Sequence, residues 1–329
     1  MKQENTNHNQ LRKNLQGLIG LLVLLLALVV GFNAWLLVGY IPSRVQAGVT
    51  AIKSRYPFLD PGRTFTDPRD LIINIQPLRD KLNSYQSNSD FEVSIYFEYL
   101  ATGANIAVNK DRTLWPASLL KIPVAMAVMK KVERGQWKLD NELVLLSEDR
   151  NSEFGTLYQK PLGTRFTIAE LLHQALVYSD NIAHFILLRN IEEEELIEIY
   201  QHLGLEELRK QASSRMSAKQ YSIFFRSLYT SSYLDPASAQ YLLDILDNDV
   251  PGPYLRAGLP AGTHFANKTG IQEDKRVIND SGIVYFNGRS YILTVMLQDR
   301  SDALRRDKAE QVMAEISRQV YSYVSSYRL

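Results

Sequence analysis

The sequence predicts an α+β fold: one antiparallel five-stranded sheet carries helices from the two ends of the domain, and an all-helical subdomain is inserted between its strands. Three observations predict it. Two alternating apolar runs stand early in the chain, at 93–99 and 104–108. Three more strand-like runs, at 263–268, 281–287 and 290–298, stand late. Residues 118–250 between them carry mostly helical spacing. Strands at both ends of a helical middle can share a sheet only if the middle packs as a unit against it.

The elements follow in order. Residues 1–14 carry Lys2, Arg12 and Lys13, and from Leu15 to Ile41 the chain is almost wholly apolar. That run exceeds the roughly 20 residues a helix needs to cross the hydrocarbon core. The leading cations predict a cytoplasmic N-terminus, a single-pass anchor over 15–41 and an extracytoplasmic remainder. A cleaved signal peptide is the alternative, with Val45-Gln46-Ala47 as its cleavage pattern; the length of the apolar run favours the anchor, because a signal core spans only ~7–15 residues. Residues 42–66, with Pro42, Pro57, Pro61 and Gly62, read as a spacer. The domain then runs over 67–329. Asp67-Pro68 reads as a helix start, followed by Leu71, Ile72, Ile75, Leu78 and Leu82 at helical spacing. Val93, Ile95, Phe97 and Tyr99 alternate with polar residues, and Thr102-Gly103 turns the chain into a second alternating run through Ile106 and Val108. Helices are predicted at 118–134, 168–178, 181–190, 193–203, 217–229 and 236–247, Asn287-Gly288 marks a hairpin, and an amphipathic helix closes the chain over 303–327.

Composition excludes several chemistries. The chain has no cysteine, which rules out disulfides, thiolate metal sites and a thiol nucleophile. A formal net charge of +1 gives no reason to expect a nucleic-acid partner. The five histidines lack metal-ligand spacing, so no metal is expected. The acidic run Glu192–Glu195 reads as the solvated first turn of a helix, and Tyr178 as a packing residue near the second of the motifs below.

Three motifs carry the chemistry, each occurring once and in this order: Ser118-Leu-Leu-Lys121, Ser179-Asp180-Asn181 and Lys268-Thr269-Gly270. Ser118 and Lys121 are three residues apart at a helix start, hence on one face. A serine hydroxyl needs an adjacent base, and a lysine serves when burial or a second cation lowers its pKa. The apolar run after Lys121 supplies that burial. Lys268 and Thr269 at the end of a strand offer a cation and a hydroxyl to a carboxylate, and Gly270 permits close approach. Taken singly, the motifs also fit a capped helix, a helix-to-helix turn and a strand-ending turn.

From about residue 67 to its end the chain resembles the penicillin-recognising serine enzymes, the class A β-lactamases and penicillin-binding peptidases, whose signature is this ordered set. The resemblance implies the class A β-lactamase-like fold, with the site in the cleft between sheet and helical subdomain. It implies Ser118 as nucleophile, Lys121 and Ser179 as proton carriers, and Asn181 as holder of the substrate's amide side chain. Asp180 would point away and pin its loop. Lys268, Thr269 and Gly270 would bind the carboxylate, and the N–H groups of Ser118 and Ile271 would form the oxyanion hole. No cofactor is implied, and the expected substrate is a β-lactam or a peptide ending in D-Ala-D-Ala. The class A enzymes also carry a Glu-x-x-Leu-Asn loop whose glutamate activates the deacylating water. No such motif stands between Asn181 and Lys268, where only the short stretch Glu206 to Ser217 joins two helices. The resemblance therefore implies ready acylation and slow turnover of β-lactams, leaving open a β-lactam hydrolase, a D-Ala-D-Ala peptidase or a penicillin-binding sensor.

Overall fold

The structure, a computed structural model, describes residues 2–35, 55, 57–59, 74–206, 215–247, 253–286 and 288–326. The chain forms two compact units, Met1–Arg55 and Tyr56–Leu329. In the first, the helix α1 spans Lys2–Trp35, and its 22-residue segment Asn14–Trp35 is strongly apolar, with Asn14, Gln16 and Asn33 as its polar residues. At 1.5 Å per residue that is about 33 Å, enough to cross a bilayer core. Most of the anticipated spacer and the helix start at Asp67-Pro68 lie outside the described residues. Of the anticipated spacer, Phe58 and Leu59 belong to the second unit: Leu59 is buried and the Phe58 ring lies 4.7 Å from that of Tyr285.

Beyond residues 57–59, the first helix described in the second unit is α2 (Gln76–Asn83), which buries Leu78 and Leu82. The hairpin of β1 (Phe91–Tyr99) and β2 (Ala104–Val108) follows, closed at Gly103 with φ of 77°. After a single 3₁₀ turn at Ala117–Leu120 comes α3 (Lys121–Glu133). Two three-residue strands, β3 (Glu142–Val144) and β4 (Arg165–Thr167), pair with each other. The helical subdomain continues with α4 (Ile168–Val177), α5 (Asn181–Arg189), α6 (Glu193–His202), α7 (Ala218–Thr230) and α8 (Pro236–Leu246). Polar caps set several starts: Thr167 and Ser217 sit in capping boxes with Glu170 and Gln220, and Asp180 and Asp235 cap α5 and α8. The chain then returns to the sheet as β5 (Phe265–Gln272), β6 (Val277–Val284) and β7 (Tyr291–Asp299) and closes with α9 (Arg306–Ser326).

The five strands are ordered β2-β1-β7-β6-β5, all antiparallel. The sheet separates two apolar cores. One face packs on α2 and α9 through Leu78, Leu82, Met313, Ile316 and Val320; the other packs on the helical subdomain through Ile283, Ile292 and Met296. This leaves β5 as an edge strand beside the helices.

Three expectations need correction. Lys268-Thr269-Gly270 does not end a strand: β5 runs through it to Gln272, paired Thr269 to Asp280 and Gly270 to Asn279. The expected strand 281–287 accordingly begins at Val277 and ends at Val284. Asn279, Asp280 and Ser281 are polar yet fully buried, and the apolar pattern alone passes over such a strand. The glutamate run is likewise not wholly solvated, since Glu195 lies 2.7 Å from Lys131 Nζ.

Candidate active site

The chain enters the cleft through Trp115-Pro116-Ala117. Ala117 has a φ of 51°, a left-handed conformation that costs a residue with a Cβ about 1–3 kcal/mol. The 3₁₀ turn follows, so the helix predicted over 118–134 starts as an α-helix only at Lys121. Pro123 explains part of this. It has no N–H for the carbonyl of Leu119 four residues back, and the Tyr221 hydroxyl donates to that oxygen instead, at 2.9 Å. The carbonyl of Trp115 accepts from Asn279 Nδ2 at 2.9 Å, which ties the turn to β6.

Lys121 is 3% exposed and donates from Nζ to Ser118 Oγ (3.0 Å), the Ser179 carbonyl (2.8 Å), Ser179 Oγ (3.3 Å) and Asn181 Oδ1 (2.7 Å). None of these acceptors is a carboxylate. Burial first, and then the Lys268 ammonium, lower its pKa to about 7, with Asp180 opposing. An amine that is partly neutral at neutral pH and hydrogen-bonded to a serine hydroxyl can take that hydroxyl's proton.

Ser179 lies between α4 and α5 with a φ of 56°. Asp180 turns away from the cleft. Its Oδ1 accepts from the Ala183 N–H at the start of α5 (3.0 Å), and its Oδ2 accepts from the N–H groups of Thr156 (2.7 Å) and Leu157 (2.9 Å). A Cβ at Gly155 would come within 1.9 Å of Asp180 Oδ2, so only glycine fits there. The pinned loop carries Asn151, whose Oδ1 accepts both Asn181 Nδ2 (2.9 Å) and the Glu153 N–H (3.0 Å).

From the opposite wall, Lys268 on β5 donates to Ser179 Oγ (3.0 Å) and to the Thr269 carbonyl (2.9 Å). Burial lowers its pKa to about 8, with Asp280 opposing. Burial also raises Asp280 to about 6, although Asn267 and the Leu255 N–H hydrogen-bond to its carboxylate. Gly270 lets the strand approach the serine turn: a Cβ there would lie 2.6 Å from the Pro116 carbonyl and 3.0 Å from the Leu119 nitrogen. Ser118 and Ile271 therefore line the same cleft.

All eight residues expected at the site thus meet in one place. Three features were not anticipated. The Asn151–Leu157 loop matches no motif, yet its backbone supplies both partners of Asp180 Oδ2. Tyr178 is not packed: it is 54% exposed at the cleft mouth, its ring edge-on to His173, because it caps α4 just before the left-handed turn at Ser179. His184 lies one helical turn beyond Asp180, lines the cleft beside Lys121, and has a buried Nδ1 with no hydrogen-bond partner among the described residues. Residues Arg215 and Met216, which follow α6, are fastened near the serine turn, Met216 pairing with Leu114 and Arg215 donating to the Thr113 carbonyl.

The sequence model described as the beta-lactamase enzyme family matches residues 77–324. The chain belongs to this family. Among solved structures, an ancestral class A β-lactamase is 28% identical, covering 74% of this chain and 99% of its own, with a TM-score of 0.66. The β-lactamase from Sphaerobacter thermophilus DSM 20745 is 19% identical, with 78% and 100% covered and a TM-score of 0.68. A mutant of PBP-A, solved as its acyl-enzyme complex with penicillin G, is 24% identical, with 77% and 98% covered and a TM-score of 0.68. The fold is the class A β-lactamase-like fold, and membership of the beta-lactamase family makes the chain a serine hydrolase in general terms.

Proposed function

We propose that the protein is a membrane-anchored, active-site-serine acyl hydrolase that β-lactams acylate and that turns them over slowly, its catalytic domain outside the cytoplasm. The observation that carries the reading is the Lys121 amine, buried, lowered toward neutrality and hydrogen-bonded to Ser118 Oγ. In the first step Lys121 takes the Ser118 proton while Oγ attacks the substrate carbonyl and the oxyanion forms against the N–H groups of Ser118 and Ile271. Such donors contribute ~3 kcal/mol each. The carbonyl–nitrogen bond then breaks, and Ser179, bridged to both lysines, passes the proton to the leaving nitrogen. Lys268 and Thr269 hold the substrate carboxylate, Gly270 keeps β5 close, and Asn181 holds the acyl-side amide.

The slow second half rests on what surrounds Ser118 and Lys121. No carboxylate hydrogen-bonds to either among the described residues, and residues 203–217 alone join α6 to α7. That favours a D-Ala-D-Ala peptidase, which β-lactams trap, as the physiological reading within this class. Support for acylation comes from the PBP-A acyl-enzyme with penicillin G, and for anchoring from the apolar length of α1.

Mass spectrometry after exposure to benzylpenicillin tests the scheme. One adduct on the wild type and none on Ser118→Ala is the expected result; absence of the wild-type adduct overturns it. With nitrocefin, a burst equal to the enzyme concentration followed by a slow steady state is expected, and sustained turnover would overturn the trapping half.

A further inference from the structure

On its helical side the cleft opens into a lobe of about 700 Å³, lined among others by Ser118, Lys121, Asn181 and His184. Most polar side chains on this lining are already committed. Asn181 accepts from Lys121 at Oδ1 and donates to Asn151 at Nδ2, Trp115 donates to Gln272, and Glu273 accepts from Arg306. His184 is not. Its Nδ1 is buried without a partner, and its Nε2, which also makes no hydrogen bond among the described residues, is the ring nitrogen left open to the lobe. A buried polar atom left unmatched is costly and rare in a native fold. The ring also stands in the field of the proposed base. Burial first, then the Lys121 and Lys268 ammonium groups, lower its pKa to about 3, so the imidazole is neutral at neutral pH.

We propose that His184 is a positioning residue for deacylation: its Nε2 holds the water that attacks the Ser118 ester while Lys121 takes that water's proton. The inference rests on Ser118 being acylated and supplies a group for the second half of the cycle. Once Ser179 has passed the proton to the leaving nitrogen, Lys121 is a neutral amine beside the ester. The lysines on the cleft side favour the imidazole tautomer with its proton on Nδ1 and its lone pair on Nε2. A water between amine and imidazole points one O–H at the Lys121 lone pair and the other at Nε2, which leaves an oxygen lone pair for the ester carbon. The bond from water oxygen to carbon forms as the proton moves to Lys121. The bond from carbon to Ser118 Oγ then breaks, and Lys121 returns the proton to that oxygen. The products are the free acid and the serine hydroxyl, with His184 unchanged. A ring that is so weak a base orients the water without deprotonating it, which fits slow turnover. The rim carboxylate Glu153 is exposed, and the charges that act on Lys121 are those of Lys268 and Asp180. The unmatched group coupled to the base is the imidazole.

The test separates the two halves of the cycle. The full chain in detergent is labelled with benzylpenicillin, the excess is removed, and intact mass follows the loss of the adduct. His184→Ala should shed the adduct about tenfold more slowly than the wild type, as for the loss of one neutral hydrogen bond. Its acylation rate should stay at the wild-type value, because removing a neutral ring leaves the charge balance of Lys121 alone. His184→Gln, whose side-chain carbonyl offers an acceptor at similar reach, should restore most of the lost deacylation rate. Glu153→Gln should leave both rates unchanged. A merely structural role for His184 would displace Lys121 and slow acylation and deacylation together, and that result overturns the proposal. A wild-type adduct lifetime in His184→Ala overturns it as well, as does deacylation that is lost in Glu153→Gln instead. Failure of benzylpenicillin to label the wild type at Ser118 would overturn the acylation reading, and the proposal with it.

Discussion

Lys121 and Lys268 reach the same hydroxyl, Ser179 Oγ, from opposite walls of the cleft, and their surroundings differ in one respect that assigns their work. Lys121, on the helical side, donates only to neutral oxygens. Lys268, on the sheet side, has the carboxylate of Asp280 behind it, which favours the charged form. Both are 3% exposed. Burial alone would lower both, but Lys268 has a counter-charge opposing it, whereas at Lys121 the second cation outweighs the opposing Asp180 carboxylate. The helical lysine is thereby suited to gaining and losing a proton, the sheet lysine to holding an anion.

The largest effect expected from breaking this pair comes from the helical member. Lys121→Met removes the base for Ser118, and acylation by benzylpenicillin should fall about 10³-fold, the middle of the range for a positioned acid–base group. Mass spectrometry timed over hours would register it. An unchanged rate would mean that another group accepts the proton.

Much of this contrast was legible in the sequence. Ser118, Lys121, Ser179, Asn181, Lys268, Thr269, Gly270 and Ile271 converge because three short motifs fix residue type and spacing, and helical spacing alone puts Ser118 and Lys121 together. What could not be read was environment. Asp280 sits in a run, Asn279-Asp280-Ser281, too polar to announce a buried strand, so the counter-charge behind Lys268 was hidden along with the true start of β6. β3 and β4 were missed because three residues show no period. The Asn151–Leu157 loop gives no local signal, since what makes it part of the site is the distant Asp180.

The next largest effect should follow from parting the two walls. Gly270→Ala places a methyl 2.6 Å from the Pro116 carbonyl, a backbone atom that cannot swing aside. Strand and serine turn must separate, and a displacement of about 1 Å costs on the order of 10²-fold. Acylation should drop by that factor while circular dichroism stays native-like. Wild-type acylation in Gly270→Ala would show that the oxyanion geometry does not depend on this contact.

Removing the sheet lysine sharpens the comparison through pH. In the wild type the acylation rate should rise through about 7, as the fraction of neutral Lys121 grows, and fall above about 8, as Lys268 loses the charge that holds the carboxylate. Lys268→Met should lower the rate about 10–100-fold, corresponding to the ~1.5–3 kcal/mol of a charged hydrogen bond. It should also change the profile's shape. The alkaline limb disappears with its group. The acid limb moves to higher pH, because a neighbouring cation depresses a lysine pKa and its removal lets that pKa climb. An acid limb shifted downward would assign it to a group other than Lys121.

The smallest expected effect separates the anchor of the cleft from its chemistry. Gly155→Ala puts a Cβ against Asp180 Oδ2 at a backbone φ of 89°, so either the loop or the carboxylate must move. Asp180 caps α5 and also holds the Thr156 and Leu157 N–H groups, and a shift loosens both at once. Strain of this kind costs about 1–3 kcal/mol. At ~2–4 °C per kcal/mol for a domain of this size, the melting midpoint should fall by roughly 2–12 °C. Asp180 also opposes the lowering of the Lys121 pKa, so a carboxylate pushed away should let the midpoint of the acid limb fall slightly below about 7. A variant that kept its melting temperature would show that the Asp180 carboxylate is not the fixed post on which the acyl wall of the cleft is built.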